Sequence, residues 1–87
     1  NDVRHLIIAG ELHRALWMEY GKEEDYKKSE EIYLGALEIA PKFPLALNNL
    51  FDLYGRKSDK EKTKQIGEII LKYWPDDERV KSLISNL

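Results

Sequence analysis

The stretch EIYLGALEIAPKFPLALNNLFDLY, Glu31–Tyr54, contains two amphipathic helical segments separated by a proline turn. Proline lacks an amide hydrogen and disfavours helix in the preceding residue, so Pro41 predicts the end of one helix near Ala40. Pro44 suits the first turn of the next helix, where no amide hydrogen is needed. A second helix-ending proline, Pro75, follows Pro41 by 34 residues. This spacing predicts a chain built from repeated helical hairpins.

Apolar residues recur at helical spacing along the rest of the chain and predict five helices without a strand. The predicted helices run over about 3–20, 26–40, 44–55, 60–73 and from about 78 onward. The expected N-caps are Asp2, Asp25, Ser58 or Asp59, and Asp76 or Asp77, and the expected helix ends are Gly21 and Gly55. The side chains expected to face inward are Val3, Leu6, Ile7, Leu12, Leu16, Tyr20, Tyr26, Ile32, Tyr33, Ala36, Leu37, Ile39, Leu45, Leu47, Leu50, Phe51, Leu53, Tyr54, Ile66, Ile69, Ile70, Tyr73, Val80, Leu83, Ile84 and Leu87.

The composition describes a small domain with an ordinary solvated surface. The 87 residues include no cysteine, so the chain forms no disulfide and offers no thiolate metal site. Its 14 basic and 16 acidic residues are interspersed and lack the clustered positive charge that binds nucleic acid. The longest uncharged run, Phe43–Phe51, is far shorter than the ~20 residues of a membrane-spanning helix. We expect no nucleic-acid partner and no membrane insertion. Because the first residue is not Met, we interpret the chain as a segment of a longer protein, cytoplasmic or periplasmic.

The whole helical part matches itself when it is shifted by 34 residues. The matched pairs are Leu16 with Leu50, Trp17 with Phe51, Tyr20 with Tyr54, Asp25 with Asp59, Ser29 with Thr63, Leu37 with Leu71 and Pro41 with Pro75. Apolar residues match one another often by chance. A match of Leu, Tyr, Asp and Pro in one ungapped register is much rarer, and it indicates an internal repeat.

The period and these residues resemble the tetratricopeptide repeat family. The resemblance implies a right-handed superhelix of helical hairpins in a single domain spanning 1–87. Its parts would be an N-terminal helix extension over 1–9, a first repeat over 10–43, a second over 44–77 and a capping helix over 78–87. Such units stack because one helix pair cannot cover its own apolar face. The residues that match the family pattern are Leu16, Tyr20, Ser29, Ala36, Pro41, Leu50, Tyr54, Thr63 and Pro75.

The chain departs from the family pattern where the two helices of a hairpin approach each other. Trp17 and Phe51 stand at a position that is usually small, and Ile70 stands at another. Either the helix pairs lie further apart than usual, or Gly67 on the facing helix leaves room for a large side chain.

The resemblance also implies a concave groove lined by the first helix of each repeat. Asn48 and Asn49 are expected either to hydrogen-bond an extended peptide or to face water. Cations outnumber anions among the implied groove residues, which favours an acidic partner. Met18 and Leu83 interrupt the clamp with which some members bind chaperone C termini, so chaperone binding is not predicted. The implied groove residues are Glu11, Arg14, Ala15, Met18, Gly21, Lys22, Leu45, Asn48, Asn49, Asp52, Gly55, Arg56, Arg79, Ser82 and Leu83.

No constellation in the sequence points to catalysis, a metal or a cofactor. His5 and His13 lie roughly 12 Å apart on one predicted helix, too far to share a zinc ion. The carboxylates fall at helix starts and on polar faces, where capping and the helix dipole explain them. The run Arg56–Lys62 mixes signs and is interpreted as a solvated loop, with a weak contact to an acidic partner as the alternative. We therefore predict a non-catalytic protein without a cofactor.

Two functions suit such a chain. The first is a protein-interaction module whose groove binds a peptide or helix of a partner. The second is structural: a spacing or self-associating module of a larger protein, such as a bacterial envelope protein of the O-antigen ligase type, which a general likeness suggests. An exposed apolar patch on Val3, Leu6, Ile7 and Ile8 would favour docking or self-association through the first helix, whereas a polar groove would favour peptide capture.

Overall fold

The computed structural model describes residues 2–87, which form five α-helices and, within that range, no β-strand. The helices are α1 (Val3–Tyr20), α2 (Glu23–Ile39), α3 (Pro44–Arg56), α4 (Lys60–Tyr73) and α5 (Glu78–Ser85). The predicted all-α class and the five helices are confirmed. Asn1, the first residue of the predicted extension, lies outside the described residues. Across residues 2–87, no helix combines the length and the apolarity that spanning a bilayer requires.

The helices pack as successive hairpins around α3. Helix α1 packs on α2, α3 on α4, and the two pairs meet where α2 and α1 contact α3. Helix α5 then packs on α4. Because α3 has neighbours on several sides, its apolar residues are buried around most of its circumference, whereas α1 buries one face. The buried residues of α3 are Ala46, Leu47, Leu50, Phe51, Leu53 and Tyr54.

Aspartate side chains cap the N-termini of three of the helices. Asp2 accepts a hydrogen bond from the Arg4 amide, Asp59 from the Lys62 amide and Asp77 from the Val80 amide. Each bond satisfies an amide that has no partner within its helix. Of the alternatives in the sequence, Asp59 and Asp77 are therefore the N-caps.

The start of α2 and the end of α3 differ from the prediction. Helix α2 begins at Glu23, so the expectation that Asp25 caps it is wrong, and Asp25 lies in its first turn. The early start follows from Gly21, whose left-handed φ of 70° reverses the chain within two residues. Helix α3 continues past Gly55 to Arg56, and Ser58 supplies the positive φ, 62°, of that turn.

The turn that ends the second helix of each hairpin recurs 34 residues later with the same geometry. Ala40 has φ −135° and ψ 86°, and Trp74 has φ −131° and ψ 77°. The Phe43 amide donates to the Ala40 carbonyl at 3.0 Å, and the Asp77 amide donates to the Trp74 carbonyl at 3.2 Å. The backbone conformation thus repeats with the 34-residue period that the prolines indicate.

Gly67 makes room for a large ring between the helices of the second hairpin. A Cβ atom on Gly67 would lie 3.0 Å from Phe51 Cε1 and would collide with the Ile84 side chain. Of the large residues at this position, Phe51 is therefore the one for which Gly67 leaves room.

Most of the expected core is buried or half-buried, and its errors are spread over all five helices. Tyr33, Phe51 and Tyr54 are buried as predicted, but Tyr20 is 67% exposed. Helical periodicity identifies an apolar face without revealing whether another helix covers it, and Tyr20 lies on the outer side of α1. The residues that were expected inward and are exposed are Leu12, Tyr20, Ile39, Leu45, Ile69, Leu83 and Leu87.

Candidate functional site

A cluster of charged side chains joins α1 to α3 on the side where the groove was predicted. Asp52 Oδ2 accepts hydrogen bonds from Arg14 Nη1 at 2.5 Å and from Arg56 Nε at 2.9 Å. Asp52 and Arg56 are one helical turn apart on α3, so their side chains share a face. The cluster therefore holds two guanidinium groups close together with one carboxylate between them.

Arg14 also reaches the buried ring of Tyr33. Burial raises the pKa of the Tyr33 hydroxyl, and the nearby Arg14 guanidinium opposes part of that rise. Within residues 2–87, the Tyr33 hydroxyl and Arg14 Nε have no hydrogen-bond partner. Arg14 thus lies between the Tyr33 ring in the core of the first hairpin and the surface cluster.

A second set of contacts joins α3 to α5 along the same side. Arg79 Nη2 donates to Asn48 Oδ1 at 3.1 Å, and its guanidinium lies 5.7 Å from the centre of the Phe51 ring. A groove of about 310 Å³ lies between these helices, with an apolar floor and charged groups at its rim. The residues that line it are Phe51, Asp52, Gly55, Arg56, Thr63, Arg79, Leu83 and Leu87.

The structure brings together part of the predicted groove set. Arg14, Asp52 and Arg56 form the ion cluster, and Asn48 pairs with Arg79. Met18 lies beside Arg14 and shares a second, shallower hollow with Arg56. Outside these contacts are Glu11, Lys22 and Leu45, which are exposed, and Asn49, which is half-buried.

The predicted groove residues carry an excess of positive charge although the whole chain has a formal charge of −2. Arg14, Lys22, Arg56 and Arg79 are four cations, and Glu11 with Asp52 contributes two anions, which leaves two positive charges. The one carboxylate in the cluster already accepts from two guanidinium groups. An anionic ligand would therefore meet incompletely neutralised arginines.

A second polar cluster, which the sequence analysis missed, joins α2 to the start of α4. Glu30 Oε2 accepts from the Tyr54 hydroxyl at 2.7 Å and from Lys62 Nζ at 3.2 Å. Burial and this hydrogen bond raise the pKa of Tyr54, and burial and the Glu30 charge raise that of Tyr26 to about 12. The partners are far apart in sequence, and helical periodicity pairs only near neighbours.

The basic loop after α3 contributes to the same part of the structure. Lys57 pairs with Glu23 and lies 4.6 Å from the centre of the Tyr26 ring. The interpretation of Arg56–Lys62 as a solvated loop is thus wrong at both ends, because Arg56 ends α3 and Lys60 begins α4. Lys57 and Lys62 form ion pairs that bridge the two hairpins. Glu23 and Lys57 occupy equivalent repeat positions, 34 residues apart.

His13 and the apolar residues at the start of α1 contact other parts of the structure or solvent as follows. His13 Nδ1 lies 3.0 Å from Asp25 Oδ1, which joins α1 to α2. Among residues 2–87, no three His, Cys, Asp or Glu side chains are grouped so as to hold a metal ion. The apolar patch considered for the first helix is wrong as stated, because Ile7 is buried, Val3 and Leu6 pack against the core, and Ile8 is exposed.

The function of this chain has to be argued from its own geometry. No protein-family model matches this sequence, and no curated protein matches it.

Proposed function

We propose that this chain is a tetratricopeptide-type interaction module that binds an acidic or carboxylate-bearing peptide along α1, α3 and α5. The observation that carries the proposal is that Arg56 and Arg79 line a groove with an apolar floor, while Arg14 shares the Asp52 carboxylate with Arg56. The recurrence of the Ala40 and Trp74 turns after 34 residues supports the likeness to the repeat family.

The arrangement favours a ligand that combines a carboxylate with an apolar side chain. A guanidinium group binds carboxylates well because its N–H groups form a fixed fork. Phe51, Leu83 and Leu87 offer apolar contact beside Arg56 and Arg79. Exposed ion pairs contribute only about 0.2–1 kcal/mol each. The expected binding is therefore weak and sensitive to salt.

Fluorescence anisotropy with labelled acidic, neutral and basic peptides of the same length tests the proposal. The wild-type protein should bind the acidic peptides best and lose affinity as salt rises. Arg79→Ala should weaken this binding, because it removes a rim cation whose side chain is exposed. Lys64→Ala is the matched control, because it removes one positive charge from the exposed surface of α4.

Asp52→Asn tests whether removing a negative charge from the site strengthens binding. The substitution removes the carboxylate that accepts from Arg14 and Arg56, so it should strengthen binding of acidic peptides. A preference for basic peptides, or equal effects of Arg79→Ala and Lys64→Ala, would contradict this site.

A further inference from the structure

One face of α1, which we call the outer face, exposes large apolar side chains in the structure of residues 2–87. The residues of this outer face are Arg4, His5, Ile8, Leu12, Ala15 and Glu19. Ile8 is 66% exposed and Leu12 is 59% exposed. They are one helical turn apart, so their side chains lie side by side on the helix surface. Isolated exposed apolar residues are common on proteins, so the pair alone decides nothing.

The positions equivalent to Leu12 in the later helices are completely buried. Ala46 in α3 and Val80 in α5 follow Leu12 by one and two periods of 34 residues, and both are 0% exposed. Ala46 lies on the helix that packs against α1 and α2, and Val80 on the helix that packs against α4. In α3 and α5, the face equivalent to the outer face of α1 is therefore covered by another helix.

The charges on this face suit pairing with a second copy of itself. Arg4 and His5 lie at its N-terminal end, Glu19 lies at its C-terminal end, and Ile8 and Leu12 lie between them. Arg4 forms an ion pair with Asp2, but its side chain is 78% exposed and can accept another partner. An antiparallel arrangement places the basic end of each helix opposite the acidic end of the other, whereas a parallel one places like ends together.

We propose that two copies of this chain associate through antiparallel pairing of their α1 helices. Leu12 is midway between His5 and Glu19, so the two Leu12 side chains meet at the twofold axis of a symmetric interface. Burial of Leu12 and Ile8 stabilises the pair, and Glu19 against Arg4 and His5 of the second copy sets its direction. The proposal is independent of peptide binding in the groove.

Sedimentation velocity over concentrations from about 10 µM to about 1 mM tests the association. The wild-type protein should shift from one to two chains per particle as its concentration rises. Leu12→Asp should weaken the dimer at least about tenfold, because each dimer loses two buried leucines. Leu34→Asp introduces the same change at an exposed leucine of α2 and should leave the dimer unchanged.

Charge reversal tests the direction of pairing, with circular dichroism to establish that each variant is folded. Glu19→Arg should weaken the dimer several-fold, and Arg4→Glu added to it should restore the wild-type affinity. A dimer that Glu19→Arg leaves intact, or that the double substitution does not restore, would overturn the antiparallel arrangement. A protein that stays monomeric at every concentration would overturn the proposal, as would equal effects of Leu12→Asp and Leu34→Asp.

Discussion

The two hairpins fill the space between their helices with a large ring and a glycine, but on opposite helices. In the first hairpin, Tyr33 on α2 faces Gly10 on α1, where a Cβ atom would lie 2.7 Å from Tyr33 Cε1. In the second, Phe51 on α3 faces Gly67 on α4. Tyr33 and Gly67 occupy equivalent repeat positions. The large ring thus comes from the second helix in the first hairpin and from the first helix in the second hairpin.

The hairpins also differ in how many neighbours they have. Tyr20 is 67% exposed, and its equivalent Tyr54 is 4% exposed. Trp17 lies at a tilt to Tyr26, with ring centres 5.2 Å apart, and stays half-buried, whereas its equivalent Phe51 is in the core. Equivalent residues thus have different environments, because α3 packs against both hairpins' helices within residues 2–87, whereas no helix in that range precedes α1.

The largest expected effect is at Ala36, which faces the core of the first hairpin and is 0% exposed. Its equivalent in the second hairpin is Ile70, so the first hairpin has the smaller residue here. Ala36→Trp should abolish cooperative thermal unfolding, because overpacking costs about 1–3 kcal/mol or more and small domains have little stability to lose. Ala15→Trp, at an exposed alanine of α1, is the control and should melt normally in dilute solution. Equal melting temperatures would contradict the close packing at Ala36.

Gly10→Ala tests the ring-and-glycine arrangement of the first hairpin. The added methyl group would lie 2.7 Å from Cε1 of the Tyr33 ring, which is 0% exposed and would have to shift within the core. We expect a net loss of about 1–2 kcal/mol in unfolding free energy, after the better helix propensity of alanine is included. Gly35→Ala is the matched control, since no atom lies within 4 Å of its added Cβ. It should stabilise the protein by up to about 1 kcal/mol, and equal effects at both glycines would contradict the arrangement.

Features that depend on residues close in sequence, such as helix ends, could be predicted. Features that depend on how the helices pack against one another could not. The prolines and capping aspartates determine where most helices begin and end, so most helix ends could be predicted to within one residue, whereas α2 begins three residues before its expected start. Leu12 and Tyr20 were placed in the core, because periodicity reports an apolar face and not a covering helix. In the groove, the family pattern named Arg14, Asp52 and Arg56, but their mutual hydrogen bonds depend on the packing of α1 against α3. The contact of Glu30 with Tyr54 has the same origin and was missed.

The buried tyrosines of the two hairpins should respond differently to loss of the hydroxyl group. Tyr54→Phe removes a hydrogen bond to Glu30 and should lower the unfolding free energy by about 1 kcal/mol. Tyr33→Phe removes a buried hydroxyl that has no partner within residues 2–87, so it should be neutral or stabilising. Urea unfolding of both variants measures the difference. A larger loss for Tyr33→Phe would mean that its hydroxyl is bonded in solution.

Alkaline pH should weaken the contacts between the hairpins through the same tyrosines. Burial raises the pKa of Tyr26 from 10.0 to about 12, and burial with the Glu30 hydrogen bond raises that of Tyr54. The folded state keeps these protons when the unfolded state has lost them, so their contribution is complete below pH 10. It should fall as pH rises from 10 toward 12 and beyond. Urea unfolding at a series of pH values checks this, and the doubly substituted Tyr26→Phe/Tyr54→Phe protein should show a flatter decline.

The smallest expected effect is at Gly67, the glycine of the second hairpin. Its added methyl group would meet the end of the Ile84 side chain, which is flexible and belongs to the short terminal helix α5. Phe51 Cε1, at 3.0 Å, also has to shift slightly. Because the closest clash is with the end of a side chain and alanine favours helix by up to about 1 kcal/mol, Gly67→Ala should change the unfolding free energy by less than about 1 kcal/mol. The strain should appear locally, as faster hydrogen exchange of the α5 amides, and Ile84→Val added to Gly67→Ala should slow that exchange again. A loss as large as that of Gly10→Ala would mean that the second hairpin is as tightly closed as the first, and that the Ile84 side chain does not give way.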